Sequence, residues 1–339
     1  MYTKQSEYFF FRLLRVLSDG KVHTFKALTI QFNCSALYLL KSIRVASRYG
    51  IEIDLISGLG VCWSQRFIWI NEESIKSYLG KHRELFNVLR FDLLDSSNTY
   101  LIENKDSLLK KTQIPVIIAE LQTQGRGTRQ RSWFSNLGGC LTFSFLWKFN
   151  HGVKHISTLS LVLGVCLVRV LQRLLLTSIY LKWPNDILFH GKKFAGILVE
   201  CRTINHSIEA VIGIGINVKL TPNLKDLIDY PVTDLCEITG KNFDRNHILV
   251  LLLNEFYDAL NIFEINGFHP FRDEWESYHA FHGKPVVLNF SDGTSFEGNV
   301  DGIRDDGSLV LTTDSEQKAF GIGEISLKAS SWNAFCTRN

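Results

Sequence analysis

No CxxC pair and no zinc-spaced Cys/His cluster occurs in this chain, although it holds seven cysteines, at 34, 62, 140, 166, 201, 236 and 336. That absence excludes zinc fingers and thioredoxin-type redox pairs. An odd number of thiols scattered through apolar stretches reads as reduced core cysteine in a reducing compartment. Long hydrophobic runs are missing as well. The most apolar stretch, Leu159 to Val168, is followed by Arg169 and Arg173; it falls short of the roughly 20 residues that span a bilayer and suits a buried core helix. The opening MYTKQSEYFFFRLL is interrupted by Arg12 and followed at once by Arg15, which is wrong for a signal peptide, so a cytoplasmic protein with no membrane partner is expected. Neither sign of charge dominates: 37 Lys and Arg against 34 Asp and Glu give +3, too mild to announce nucleic-acid binding in bulk. There is no internal repeat, no low-complexity tract and no plausible Ser/His/Asp or Cys/His arrangement for covalent catalysis.

What is present is ordinary globular material, 45% hydrophobic and 21% charged over 339 residues, enough for two or three domains. Residues 1–66 have the texture of short helices and then an extended piece. Phe9, Leu13, Leu14 and Leu17 share a helical face that ends at Asp19-Gly20; Phe25 to Phe32 reads as a second helix. Asn33 and Ser35 are candidate caps for a third, running to Tyr49 with Gly50 as its stop. Ile51 to Trp63 reads as a hairpin turning at Ser57-Gly58, which completes a winged helix-turn-helix. Residues 67–281 mix strands and helices, with strands at Leu141 to Trp147, Ile187 to Phe189, Phe194 to Cys201 and Ala210 to Val218, and helices over 158–176 and 245–265. Consecutive strands and a His190-Gly191 turn predict an α+β domain with a largely antiparallel sheet. Residues 282–339 give short strands at Val286 to Phe290, Phe296 to Ile303 and Leu309 to Thr312 between turns, a small β-barrel of SH3 size.

Four segments carry chemistry. Gln122-Thr-Gln-Gly-Arg-Gly-Thr-Arg-Gln-Arg-Ser-Trp133 places two glycines around Arg126, then Arg129, Arg131 and Trp133. Glycine lets backbone approach a ligand, and guanidinium forks suit phosphate or carboxylate, so such a loop can hold two anions together; a solvated basic loop is the plain alternative. Lys182-Trp-Pro-Asn-Asp186 is followed by Phe194-Ala-Gly-Ile-Leu-Val-Glu200. Proline fixes a turn that sets Lys182 near a sheet edge within reach of a ligand, Asp186 can anchor the turn or help hold a metal, and Gly196 marks a close backbone approach. Asp95-Ser96-Ser97-Asn98 precedes a helix and taken alone reads as a cap. Gly213-Ile-Gly-Ile-Asn217-Val is a strand whose glycines leave room for a flat ligand, or a bulged core strand.

In this order the segments DSSN, QTQGRG, KWPND, GIGIN and, near the C-terminus, GEISL at 323–327 resemble the biotin–protein ligase family, and more narrowly its bifunctional bacterial members, which also repress biotin-synthesis genes. The resemblance spans nearly the whole chain and implies a winged helix-turn-helix, a catalytic domain related to class II aminoacyl-tRNA synthetases, and an SH3-like domain. It implies biotin and ATP as substrates with Mg2+, and a biotin carboxyl carrier protein of acetyl-CoA carboxylase as acceptor. Operator DNA and a homodimer formed with biotinyl-adenylate complete the implied partners. Residue by residue, Ser96, Ser97 and Asn98 match the segment that bonds the ureido ring, and Gln122 a biotin-contacting glutamine. Gly125, Arg126, Gly127 and Thr128 match the loop over the biotin carboxylate and adenylate phosphate, and Lys182 the lysine that bridges those two groups; Gly196 lines the same pocket. Arg129, Arg131, Trp133, Asn217 and Lys328 fall to the nucleotide, and Asp186 to a metal. Arg126 and Lys182 are the catalytic pair. The family's bacterial members commonly continue the loop with Arg-Arg-Gly, where this chain has Thr128-Arg129-Gln130, which loses a charge and a permissive backbone position. A lipoate–protein ligase shares the chemistry but fits the KWPND segment and the glycine-arginine loop less well.

Residues 1–65 hold eight Lys and Arg against four acids. Lys41, Arg44 and Arg48, at i, i+3 and i+7, are expected on one face of the recognition helix that Ser35 caps, as for a helix in a major groove. Its first turn, Ser-Ala-Leu-Tyr-Leu, is poor in base-reading side chains, so a ligase whose N-terminal domain no longer binds operator is the alternative.

Overall fold

The computed structural model describes residues 4–64, 67–109, 113–150, 153, 155–174, 176–205, 207–290, 292–322 and 325–329. Three helices open the chain, Lys4–Leu17, Phe25–Phe32 and Ala36–Ile43, followed by a two-stranded hairpin, Asp54–Ile56 with Gly60–Cys62. Thr24 and Ser35 cap the second and third helices by accepting from Ala27 N and Tyr38 N. Gly60 is required at the hairpin's edge, where φ is +146° and a Cβ would stand 2.0 Å from the His23 carbonyl oxygen.

The third helix is shorter than its sequence predicts. It ends at Ile43, and Ala46–Tyr49 forms a separate 3-10 turn closed by Gly50 at φ 67°. Ser42 Oγ bonds back to the Tyr38 carbonyl, and Val45 N bonds to Ser42 O in the i→i−3 pattern that tightens a helix end. Lys41, Arg44 and Arg48 are all exposed, but they sit on a helix, its cap and a 3-10 turn rather than along one continuous helical face.

A seven-stranded mixed sheet forms the middle of the molecule. Its order is Phe86–Leu94, Ile114–Gln122, Cys140–Phe149, Ser207–Asn217, Lys192–Ile204, Asp186–Phe189 and Ile179–Lys182. The first pair is parallel and every other pairing is antiparallel. The apolar helix Leu159–Arg173 packs against helix Arg245–Asn266 on one side of the sheet, and eleven of its fifteen residues are buried. The window Ile156–Arg173 is long and apolar enough to cross a membrane, but 72% of it lies buried inside the protein. After helix His269–Tyr278 comes a five-stranded antiparallel sheet ordered Gln317–Phe320, Leu309–Thr312, Ser295–Ile303, Pro285–Phe290, Ile325–Ala329. Its buried Val286, Leu288, Val300 and Leu311 join the core of the larger sheet.

Cys62, Cys140 and Cys166 are buried free thiols as expected; Cys201 is exposed, Cys34 and Cys236 are half-buried, and Cys336 lies outside the described residues. Cys201 departs from the core reading because it stands on the part of strand Lys192–Ile204 that runs beyond the buried sheet, where residues 201–204 are all exposed.

Candidate active site

Three neighbouring strands build the floor of a cavity of about 1140 Å³. In their register Gly196 faces Gly215, which faces Thr142, and Leu198 faces Gly213, which faces Ser144. Glycines at these positions remove the side chains that would otherwise fill the floor. A Cβ on Gly213 would lie 2.2 Å from Asn98 Oδ1, and one on Gly215 would lie 2.5 Å from the Trp133 ring. The glycine strip therefore admits a polar amide at one end and an indole at the other.

Above the floor, Ser96 caps helix Ser97–Leu108, accepting from Thr99 N at 3.4 Å. Ser97 and Asn98 are buried at its first turn. Ser97 N donates to Gln122 Oε1 at 2.7 Å. Its hydroxyl lies 2.6 Å from the Ser144 hydroxyl, which donates to Asn98 Oδ1. Asn98 Nδ2 donates to Glu200 at 2.8 Å, and the Arg126 guanidinium closes on the same carboxylate through two bonds of 3.0 and 2.7 Å. The cap segment and the arginine loop thus meet on one acid.

The loop itself is a small hairpin in which Gly125 and Arg126 pair with Trp133 and Ser132. Arg129 and Gln130 both take positive φ, 57° and 59°. Gln130 thus holds the left-handed conformation that glycine adopts without strain. Arg126, Gly127, Thr128, Arg129, Arg131 and Trp133 all line the cavity.

Each residue of Lys182–Asp186 has its own structural task. Lys182 pairs in register with Asp186 across the strand hairpin and lines the cavity. Trp183 is buried and donates Nε1 to the Gly307 carbonyl at 3.0 Å, joining the C-terminal sheet to the turn. Pro184 follows through a cis peptide bond, and Asn185 is stapled twice to Ile197, donating Nδ2 to its carbonyl and accepting its N–H. Asp186 forms a 2.6 Å ion pair with Lys193, whose ammonium stands 5.7 Å from the Trp133 ring and 5.6 Å from the Tyr230 ring. Burial raises the Tyr230 phenol above its usual range. Among the described residues no group of three or more His, Cys, Asp and Glu converges as a metal set.

The cavity wall thus includes Ser96, Ser97, Asn98, Gln122, Lys182, Asp186 and Gly196 as well as the loop. Gly125 and Asn217 are close but stand behind it. A Cβ on Gly125 would strike the Trp133 carbonyl at 2.4 Å. Buried Asn217 donates to Thr233 O at 3.1 Å, tying the sheet to the segment that carries Tyr230. Lys328 pairs with Val287 on the last strand; its side chain lies outside the described residues. Glu200, Ser144, Lys193 and Tyr230 were not singled out from sequence. Glu200 had a signal, since positions 196, 198 and 200 share one face of a strand. Lys193 and Tyr230 had none, because they meet only where Val232 bridges Lys193.

Two family models match the chain: the biotin/lipoate A/B protein ligase family over residues 90–217 and the biotin protein ligase C-terminal domain over residues 281–328. The bifunctional ligase/repressor BirA of Escherichia coli strain K12 is 31% identical over 320 residues, which are 94% of this chain and 97% of that protein. A biotin–[acetyl-CoA-carboxylase] ligase of Paracoccus denitrificans is 29% identical over 215 residues, covering 62% of this chain and 88% of its own. The solved biotin protein ligase from Aquifex aeolicus in complex with biotin and ATP superposes with a TM-score of 0.60 at 30% identity, over 72% of this chain and 99% of that one.

Proposed function

The chain belongs to the biotin protein ligase family, and from that membership we propose how its cavity works: biotin is activated with ATP as biotinyl-5'-adenylate, and the biotinyl group then passes to a specific lysine of a biotin carboxyl carrier protein. The observation that carries this reading is a single cavity lined by a polar Ser96-Ser97-Asn98 end, an arginine loop and Lys182.

Neither half-reaction needs a nucleophile from the protein. Biotin's carboxylate attacks the α-phosphorus of ATP and pyrophosphate leaves; the acceptor amine then attacks the mixed anhydride and AMP leaves. The protein has to bring two anions together and stabilise charge spreading over the phosphoryl oxygens. Arg126 and Lys182 take that task. Ser96, Ser97, Asn98 and Gln122 read the ureido end, while Gly127, Thr128 and Gly196 let backbone close on biotin and Gly125, behind the wall, lets the Trp133 strand pack against the loop. Arg129, Arg131, Trp133 and Lys328 serve the nucleotide, and Asn217 supports that side from behind the wall by holding the segment that carries Tyr230. Mg2+ enters on the nucleotide phosphates as part of that substrate; Asp186 lines the cavity and would meet it by giving up Lys193.

A second activity follows from the ligase/repressor relative. Residues 1–66 form a winged helix-turn-helix that represses biotin-synthesis genes, with Ser35, Lys41, Arg44 and Arg48 on operator DNA. Three helices, a hairpin and exposed cations support that reading. Residues 67–281 form the catalytic domain and residues 282–339 an SH3-like barrel, and two copies associate when the adenylate is bound.

One experiment tests the enzyme reading. The protein is mixed with ATP, Mg2+ and either biotin or lipoate, pyrophosphate is followed, and a biotin-acceptor domain is then added. The reading expects pyrophosphate with biotin and a mass increase on one acceptor lysine. Turnover with lipoate alone would assign a lipoate ligase instead. Gel retention of the protein's own upstream biotin-gene DNA, with and without biotin and ATP, tests the repressor; no retention in either condition leaves a ligase alone.

A further inference from the structure

We infer that Glu200 is a positioning residue for ligand recognition, one that fixes the hydrogen-bond polarity of the Asn98–Ser144–Ser97 chain and so makes the polar end of the cavity a receiver of N–H donors. The inference deepens the biotin reading and rests on it.

An ionised carboxylate only accepts hydrogen bonds. Asn98 must therefore turn its NH2 toward Glu200, where Nδ2 donates at 2.8 Å. Its Oδ1 then faces the other way and takes the Ser144 hydroxyl proton. With that proton spent, the Ser144 oxygen can only accept from Ser97, whose hydroxyl lies 2.6 Å away. Glu200, at one end, thus orders every donor in the chain, and Ser97 is left presenting lone pairs at the other. Turning the Asn98 amide over would set two acceptors against each other in a buried place, which costs more than the bond it replaces. Asn98 Oδ1 occupies the space that a side chain at Gly213 would fill, so the bare strand is what admits the amide in this place. A cyclic urea offers two N–H donors, and a chain ending on acceptors is the complement they need.

Arg126 makes the position of Glu200 sensitive to one atom. The guanidinium takes both carboxylate oxygens while Asn98 shares one of them. In Glu200→Gln a single oxygen remains. The guanidinium claims it, and the new NH2 faces Asn98, which must invert to meet it. The whole chain then reverses and presents a donor to a donor.

The test uses the full chain, calorimetric binding of biotin and of its alcohol analogue biotinol, and four proteins: wild type, E200Q, S144A and the double variant. Thermal unfolding establishes that each is folded. The inference expects E200Q to weaken biotin and biotinol by the same factor, tenfold or more. It also expects E200Q to cost less than threefold once Ser144 is already Ala, although Glu200 bonds to Asn98 and not to Ser144. A loss confined to biotin would mean that Glu200 acts through Arg126 on the carboxylate and would overturn the inference. So would unchanged affinities, or effects of the two substitutions that multiply independently. If the wild type bound neither ligand, the biotin reading itself would fall, and the inference with it.

Discussion

Glu120 and Arg245 meet 2.8 Å apart with both side chains buried, and together they grip the chain where the N-terminal region enters the central sheet. Glu120 also accepts from Ile70 N at 2.6 Å, while Arg245 donates to the carbonyls of Ile68 and Cys140. The pair is a contact of charges whose aligned hydrogen bonds go to backbone, so it clamps the segment 68–70 against the strands that lead to the cavity. Removing one member leaves the other charged and dry, which costs about 3–5 kcal/mol. Glu120→Gln and Arg245→Met are each expected to lower the urea midpoint by that equivalent. The double variant should lose less than the sum, since neither charge is then orphaned; additive losses in the double would show that the two side chains act independently.

The N-terminal helices do not close their core alone. Leu121 and Leu137 of the central domain lie in the same cluster as Phe10, Leu13, Leu14 and Leu17, and Arg15 pairs with Asp92 while covering the Trp69 ring. Leu121 is the neighbour of Gln122 and Leu137 stands just past the arginine loop. Substituting Leu137 with Ala removes buried volume from that shared cluster, at a cost of about 2–5 kcal/mol. Chemical denaturation should register the loss on the N-terminal side as well as in the whole; a variant with an unchanged midpoint would deny that this core is shared.

Lys182 is assigned to bridge the biotin carboxylate and the phosphate, so its weight is expected on the chemical step more than on biotin affinity. Losing one preorganised donor of that kind costs about 10²–10³ in the chemical step. Lys182→Ala is expected to slow pyrophosphate release by that order while calorimetric biotin affinity changes by less than tenfold. Near wild-type turnover would remove Lys182 from the mechanism, and an affinity loss that matched the rate loss would make it a binding residue only.

His279 gives the protein an acid-sensitive joint. Burial first, then the nearby His282 and Lys284 charges, push its imidazole down to about 3; it packs on Trp275 and Phe281, and Leu181, next to Lys182, bridges to it. The unfolded chain titrates this group near 6.5, so the unfolded state binds the extra proton in the window between the two values. The stability that neutral His279 contributes is complete above about pH 6.5 and is lost as pH falls toward 3, at no more than ~1.4 kcal/mol per pH unit. Urea midpoints at pH 7.5 and pH 5 should differ less in His279→Phe than in wild type. Equal pH differences in the two proteins would clear His279 of that role.

The parts that were legible in sequence are those whose signal is local. Turns and apolar runs indicate the hairpin at His190-Gly191 and a strand at Ala210 to Val218, which the structure extends to Ser207–Asn217, and the Pro184 turn sets Lys182 at the sheet edge. Trp183 could not be read that way, since its partner Gly307 lies 124 residues on. Lys193 and Tyr230 are brought together by an isolated bridge between Lys193 and Val232 that no periodicity announces. The third helix was overdrawn because its apolar spacing continues through Val45 and Ala46 while a serine hydroxyl bonds back to the chain at Tyr38. Local pattern records which side is buried; it does not record which backbone bond wins at a helix end.

The arginine loop yields the last prediction, about how long the intermediate stays. Thr128 lines the cavity without a charge, and Gln130 holds φ at 59°, a conformation that costs a residue with a side chain about 1–2 kcal/mol. Thr128→Arg adds a cation facing an anionic intermediate, while Gln130→Gly removes the strain and keeps the loop in its present path. Both changes favour a closed loop, one through attraction and one through backbone freedom. With preformed radiolabelled biotinyl-adenylate, each variant is expected to release it more slowly than wild type, and the double variant more slowly than either. If Thr128→Arg and wild type released it at the same rate, charge at position 128 would have no part in retention.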